Sequence, residues 1–316
     1  MDITEISKIL SQPTGNLLSK EAGVYKGQWT FYALIYGVRA VYNAYVQKQI
    51  DIDRFKTLAL PILSRIMEEP AVAFDTRYWG TSVAKDLGRT AKHHLATVSL
   101  RCWALQMYNK ITGDYEDEYL DYLDALNARY VENGYSMLRV GPRTPLFLPD
   151  NMIGLAVLDN SRYAETAERV LAKAKLDFGQ LLPKSIRGRK VSGGYNALTC
   201  YYLSLFRDKS KAETLWNTIY TQLHKTSIFG IEGIKERKGS DDVVGMDGDG
   251  GPVLNGIGVI ATAFSIGSAK KFGPKGFYNN IVKSGCKFEK LMSVMGLKSF
   301  TLVGPVILNA LSNEKE

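Results

Sequence analysis

Cysteine is scarce and scattered. The chain has three, Cys102, Cys200 and Cys286, with no C-x-x-C pair, so neither a disulfide framework nor a zinc knuckle is indicated. All three are expected as buried thiols, and Cys102 and Cys200 lie inside apolar runs, where a thiol behaves as a small buried hydrophobe. A secretory leader is missing from the start, because Met1-Asp-Ile-Thr-Glu-Ile has neither a basic opening nor a long apolar core. The expectation is a cytoplasmic protein, or an exported one whose leader has been removed. No run is apolar enough for a membrane span: the longest, 253–269, is broken by Asn255, small polar residues and glycines, and reads as a buried helix. Strand-like alternation is rare, found only at 135–140 and 227–234. A basic arm is also lacking. Lys and Arg outnumber Asp and Glu by 40 to 32, a net charge of +8, yet they cluster only briefly, as in Arg187-Gly-Arg189-Lys190 and Lys235-Glu-Arg237-Lys238. Such an even spread is first a solvated surface and second a match to an anionic ligand, and it speaks against nucleic acid as a partner.

What is present is ordinary globular material: 316 residues, 45% hydrophobic, 23% charged and 11% aromatic, enough to bury a large core. Two kinds of helical segment alternate along it. Segments 29–46, 91–108, 151–158, 195–206, 253–269 and 301–311 are apolar nearly all round, and a helix apolar on every side has to be buried on every side. Between them, 51–69, 115–133, 164–180, 209–224 and 276–295 carry one apolar stripe and many charges, the pattern of a helix with one face in water. In the second of these, Tyr119, Leu120, Leu123, Leu126 and Tyr130 follow at steps of one, three, three and four, which is helical spacing. The inner segments begin at intervals of roughly 45 to 60 residues, right for a helical hairpin with an elaborated loop. The stretch 2–10, with Ile3, Ile6, Ile9 and Leu10 on one face, is expected as the missing outer helix beside the last hairpin, closing a ring.

This alternation resembles the (α/α) toroids, the group of six-hairpin glycosidases, several polysaccharide lyases and epimerases, and terpenoid cyclase-like enzymes. Two local stretches add to the likeness: Pro149-Asp150-Asn151-Met-Ile-Gly, similar to the acidic-Asn start of an inner helix, and Gly248-Asp249-Gly-Gly-Pro252-Val-Leu-Asn-Gly. The fold expected is all-α, an (α/α)6-type toroid in one domain over residues 1–316. The resemblance implies that loops entering the inner helices line one mouth of a central funnel, where helix N-termini add donors and positive potential. The polar and aromatic residues at those starts are then the candidates: Trp29 and Tyr32; Asp75, Tyr78, Trp79, Asp86, Arg89, His93 and His94; Asp150 and Asn151; Tyr195 and Asn196; Asp247, Asp249 and Asn255.

The densest signal is the run from Ser240 to Pro252, with four aspartates in nine residues of a basic protein. Carboxylates crowded in this way repel unless a cation, a proton or a ligand relieves them. An EF-hand is not indicated, because the position that requires a bidentate Glu is Gly258, and the cyclase D-x-D-D pattern fails at Gly250. No metal or cofactor is expected. Read as a Pro252 helix start, the run makes Asp249 the ionised base or nucleophile and Asp247, or Asp150 across the mouth, the proton donor. As plain structure, Asp150 is an N-cap for a helix beginning at Asn151. His93, one turn after Arg89, is the alternative general base, with the guanidinium as a carboxylate clamp suited to a uronic acid. Trp29, Tyr32, Tyr78, Trp79 and Tyr195 supply stacking faces and Asn151 a further polar contact for substrate. The function expected is a carbohydrate-active enzyme, glycoside hydrolase or polysaccharide lyase, on a small or oligosaccharide substrate of anionic character. The alternatives are a toroidal enzyme for an isoprenoid or other apolar substrate, and a non-catalytic helical ligand-binding scaffold.

Overall fold

A computed structural model describes the backbone of residues 2–18, 27–88, 94–142, 144, 146–184, 190–227, 230–239, 245–247, 251–294 and 298–314. Among these residues the chain is predominantly helical. In order come α1 (Ile3–Leu10), α2 (Thr14–Leu18), α3 (Gln28–Val46), α4 (Ile52–Met67), a 3₁₀ turn (Glu69–Val72), α5 (Ala73–Trp79), α6 (Val83–Asp86), α7 (Leu95–Thr112), α8 (Glu116–Glu132), α9 (Leu148–Asp159), α10 (Ala164–Ala174), α11 (Gly193–Leu203) and α12 (Ser210–Leu223). Short strands β1 (His224–Thr226), β2 (Glu232–Ile234), β3 (Gly245–Asp247), β4 (Gly251–Leu254) and β5 (Ile257–Gly258) follow, then α13 (Val259–Phe272), α14 (Lys275–Val294) and α15 (Lys298–Ser312). No helix among the described residues is long and apolar enough to cross a membrane.

The alternation of patterns becomes an alternation of burial. In α9 eleven of twelve residues are buried, whereas in its charged neighbour α10 only Thr166, Ala167 and Val170 are. The apolar helices pack on one another in chain order: α3 on α7, α7 on α9, α9 on α11, α11 on α13, α13 on α15, and α15 back on α3. Each amphipathic helix lies against the apolar helix before it, α4 on α3, α8 on α7, α10 on α9, α12 on α11 and α14 on α13. One hydrophobic cluster runs through them from Ile6 to Leu311. Helix α1 corrects an expectation, since it packs on α3 and α4 rather than beside the last hairpin. Its Leu10 sits so close over Gly37 that a Cβ there would lie 2.3 Å from Leu10 Cδ1.

A side-chain device repeats at the starts of successive inner helices. The Asn151 amide gives hydrogen bonds to the carbonyls of Leu138 (2.9 Å) and Phe147 (2.9 Å), and its Oδ1 accepts from the Leu138 N–H at 2.8 Å. One hairpin later Asn196 does the same with the carbonyls of Leu182 (2.9 Å) and Ser192 (2.9 Å) and the Leu182 N–H (2.8 Å). In α13 the hydroxyl of Thr262 fills this place, accepting from the Ile234 N–H at 3.1 Å and donating to the Gly258 carbonyl at 2.8 Å. Each clamp satisfies the backbone of the incoming loop where water is excluded, which ties loop to helix.

The segment 253–269 is only partly helical. Residues 251–254 form β4 and 257–258 form β5; β4 pairs antiparallel with both β3 and β5, and α13 begins at Val259. Asn255 (φ 51°) and Gly256 (φ 77°) make the turn between them, the positive-φ pair that an Asn-Gly hairpin turn requires. Pro252 therefore lies in a strand and not at a helix start. Of the two stretches with strand-like alternation, 227–234 contributes β2, paired with β1, and 135–140 contributes no strand.

Candidate active site

Asp150 is not the cap of its helix. Phe147 holds that position and Asp150 is the third residue of α9, still within the first turn where backbone N–H groups lack helical partners. Its carboxyl is deeply enclosed by protein, yet the residue keeps some solvent contact. Burial pushes its pKa up to about 7; its own backbone N–H pulls the other way, and the Asp75 carboxylate raises it further.

Its charge acts on tyrosines of three helices. Tyr32 of α3, Tyr130 of α8 and Tyr202 of α11 all feel the Asp150 charge, and burial first of all holds their phenols well above the ordinary range, so they stay neutral. Tyr32 is as deeply enclosed as Asp150 and also retains solvent contact. Its ring stacks on Tyr36 (6.4 Å, 17°) and meets Trp29 one turn earlier at 6.1 Å. Tyr195, near the start of α11, packs against Phe147 at 5.5 Å, and the Lys184 ammonium lies 4.8 Å from the centre of its ring. Thus four of the residues singled out from sequence, Trp29, Tyr32, Asp150 and Tyr195, meet at one end of the inner helices.

The others are placed differently. Asn151 is fully buried and its amide is engaged by the loop clamp and by the Tyr130 hydroxyl at 3.3 Å, so it braces the start of α9. Tyr78 is 41% exposed on α5. The Trp79 ring packs on His94 at 5.8 Å. His93, Arg89 and Asp249 lie outside the described residues; the backbone of Asp247 ends β3, and its side chain lies outside them too.

Behind Asp150 stands a buried polar cluster. The His94 Nδ1 lies 2.9 Å from Asp75 Oδ2 and its Nε2 3.4 Å from Asp86 Oδ2, with the imidazole and both carboxylates almost entirely excluded from water. Arg129 joins it by donating to the Asp86 carbonyl at 3.2 Å and the Leu87 carbonyl at 3.3 Å. His94 takes a left-handed backbone (φ 59°) to enter α7, a conformation uncommon for a side-chain-bearing residue and found where surroundings enforce it. The cluster ties α5, α6 and α7 together and carries the Asp75 charge to Asp150. Among the described residues, no three His, Cys, Asp or Glu side chains are arranged to hold a metal ion.

Two acids escape any reading of the sequence. Glu236, inside the run Lys235-Glu-Arg237-Lys238 that reads as surface, is 1% exposed; it accepts from the Ser192 hydroxyl and from the Gly194 N–H at 3.3 Å, at the start of α11. Glu314 lies at the opposite end of the inner helices. Its carboxylate takes Arg39 Nη2 at 2.8 Å and Lys271 Nζ at 2.8 Å, and accepts from the Tyr201 hydroxyl. Burial alone would raise its pKa, but Arg39 and Lys271 overcome that and bring it down to about 2. A signal for this end did exist on α3, where Trp29, Tyr32, Tyr36 and Arg39 follow at helical steps. No protein-family model matches the chain and no curated protein matches it, so its functional reading rests on Asp150 and the residues at the starts of the apolar helices.

Proposed function

We propose that the protein is a carbohydrate-active enzyme of the glycoside hydrolase kind, built as a single-domain (α/α)6 toroid, with Asp150 as its proton donor. The packing order that returns from α15 to α3 supports the toroid. The observation that carries the chemistry is the Asp150 carboxyl, enclosed at the inner-helix starts among Tyr32, Tyr130 and Tyr202 and pushed up to about 7. Glycoside cleavage needs a carboxylic acid that keeps its proton near neutral pH. Asp150 gives that proton to the glycosidic oxygen as the bond to the anomeric carbon breaks. Water then adds hydroxide to the anomeric carbon and leaves its own proton on a second carboxylate acting as base. Trp29, Tyr32 and Tyr195 offer flat faces for sugar rings, and Lys184 on Tyr195 brings positive charge suited to an anionic sugar.

The test is a turnover screen on neutral and acidic oligosaccharides, repeated with Asp150→Asn. The variant should lose about 10²- to 10⁴-fold in kcat, and wild-type activity should fall as pH rises through about 7, where Asp150 gives up its proton. Full turnover by the variant would remove Asp150 from the chemistry.

A further inference from the structure

Glu314 is held as a bound carboxylate would be. It lies past the end of α15 and is fully buried, and three apolar helices each send one donor to it. From α3, Arg39 donates Nε at 3.1 Å and Nη2 at 2.8 Å to Oε1; from α11, the Tyr201 hydroxyl donates to the same oxygen; from α13, Lys271 Nζ lies 2.8 Å from Oε2. Each donor also has a neighbour other than Glu314 to fix it. The Arg39 guanidinium lies 5.3 Å from the centre of the Tyr42 ring and 5.7 Å from that of Trp103. Lys271 donates to the Ser204 hydroxyl at 3.0 Å, and the Tyr201 ring packs on Tyr36 at 6.2 Å and on Tyr202 at 5.6 Å. The receiving half is therefore built into the fold, and donors placed in advance lose little freedom when an anion arrives. Burial alone would raise the Glu314 pKa, yet Arg39 and Lys271 bring it down to about 2, so the charged form is the one this arrangement takes.

We propose that Arg39, Tyr201 and Lys271 form a binding site for a small carboxylate, with Glu314 as its internal ligand and competitor. The site is independent of the carbohydrate reading above. A guanidinium, an ammonium and a phenol supply the charge-assisted hydrogen bonds that a carboxylate takes. Neither cation is sealed from water, since Arg39 and Lys271 keep 13% and 9% of their side chains exposed. Glu314 follows the last residue of α15, Ser312, by two positions, and so short a tether holds it at an effective concentration on the order of millimolar or above. A free acid is excluded while it is in place. Glu314→Ala deletes a methylene and a carboxylate, the atoms that acetate returns.

The experiment follows the full chain carrying Glu314→Ala by thermal melting in sodium acetate and in sodium chloride of equal ionic strength. The expected result is a melting temperature that climbs with acetate, by about 2 °C or more above the chloride control. Wild type, and Glu314→Gln with the space still filled, should show no difference between the two salts. The branched acid pivalate, too broad for the deleted atoms, should act as chloride does. An equal response to acetate and chloride, or the same acetate response in Glu314→Gln, would overturn the site. If Glu314→Ala does not refold from urea in chloride, the readout is its yield on dilution into acetate: recovery in acetate alone supports the site, and recovery in neither salt overturns it.

Discussion

The two ends of the inner helices each bury a carboxyl, and they treat it in opposite ways. Glu314 is met by a guanidinium, an ammonium and a phenol, and is held down to about 2. Asp150 is met by tyrosines and, beyond them, by the carboxylate of Asp75, and is pushed up to about 7. Burial acts on both in the same direction; the difference lies in the company each one keeps. A buried carboxylate supplied with cations is a structural element. One left, among the described residues, without that compensation keeps its proton near neutral pH, the property that acid chemistry requires.

Breaking the paired end should have the largest effect on the fold. In Glu314→Gln, Arg39 and Lys271 are left facing one another without their counter-ion, and unfolding in urea at pH 7 should show a loss of about 3–5 kcal/mol. A loss below about 1 kcal/mol would mean that the two cations do not depend on Glu314. Asn151→Ala comes next: it strands the Leu138 N–H and carbonyl in the core and should cost about 1–3 kcal/mol by the same measurement. Because the clamp holds the loop entering α9, this variant should also raise KM more than Tyr78→Ala, whose exposed ring should change stability by less than about 0.5 kcal/mol.

The effect that sharpens the comparison is the one whose size depends on pH. The folded Asp150 has a higher pKa, about 7, than the ordinary carboxyl value of 3.8. The fold therefore favours its protonated form, and stability is lost as pH rises from about 4 through about 7. Asp150→Asn removes that loss. Its melting temperature should match wild type near pH 4 and exceed it at pH 8. Glu314 has the opposite slope: its contribution is present above its ordinary value of 4.5 and disappears as pH falls through about 2. A variant no more stable than wild type at pH 8 would show that Asp150 is not held against its charge.

Much of the architecture was legible in the chain. Apolar and amphipathic helices alternate at a period the eye can follow, and the burial of α9 against α10 reproduces it. The misreading at 253–269 has a plain cause. A short apolar run looks alike whether it is a buried strand or a buried helix, and here the Asn255-Gly256 pair, which marks a hairpin, outweighs Pro252 as a helix start. Asp150 was legible as a polar residue at an inner-helix start, though its place in the helix was off by a few residues, as helix boundaries commonly are. Asn151 illustrates the limit: its neighbourhood to Asp150 suggested a ligand contact, and its four hydrogen bonds go to the scaffold.

Local sequence determined which helices are apolar all round and which have one wet face, because that follows from residue spacing along a helix and from nothing further away. It also determined that Cys102 and Cys200 would be buried thiols, as they are, whereas Cys286, outside such a run and expected buried with them, is exposed. Only the tertiary structure decided what each buried acid does. Glu236 lies in a run of charges and is buried, and Glu314 finds Arg39 at a sequence distance of 275 residues. A carboxyl's pKa is set by solvent exclusion and by charges within a few ångströms, and neither quantity is written in the residues beside it in the chain.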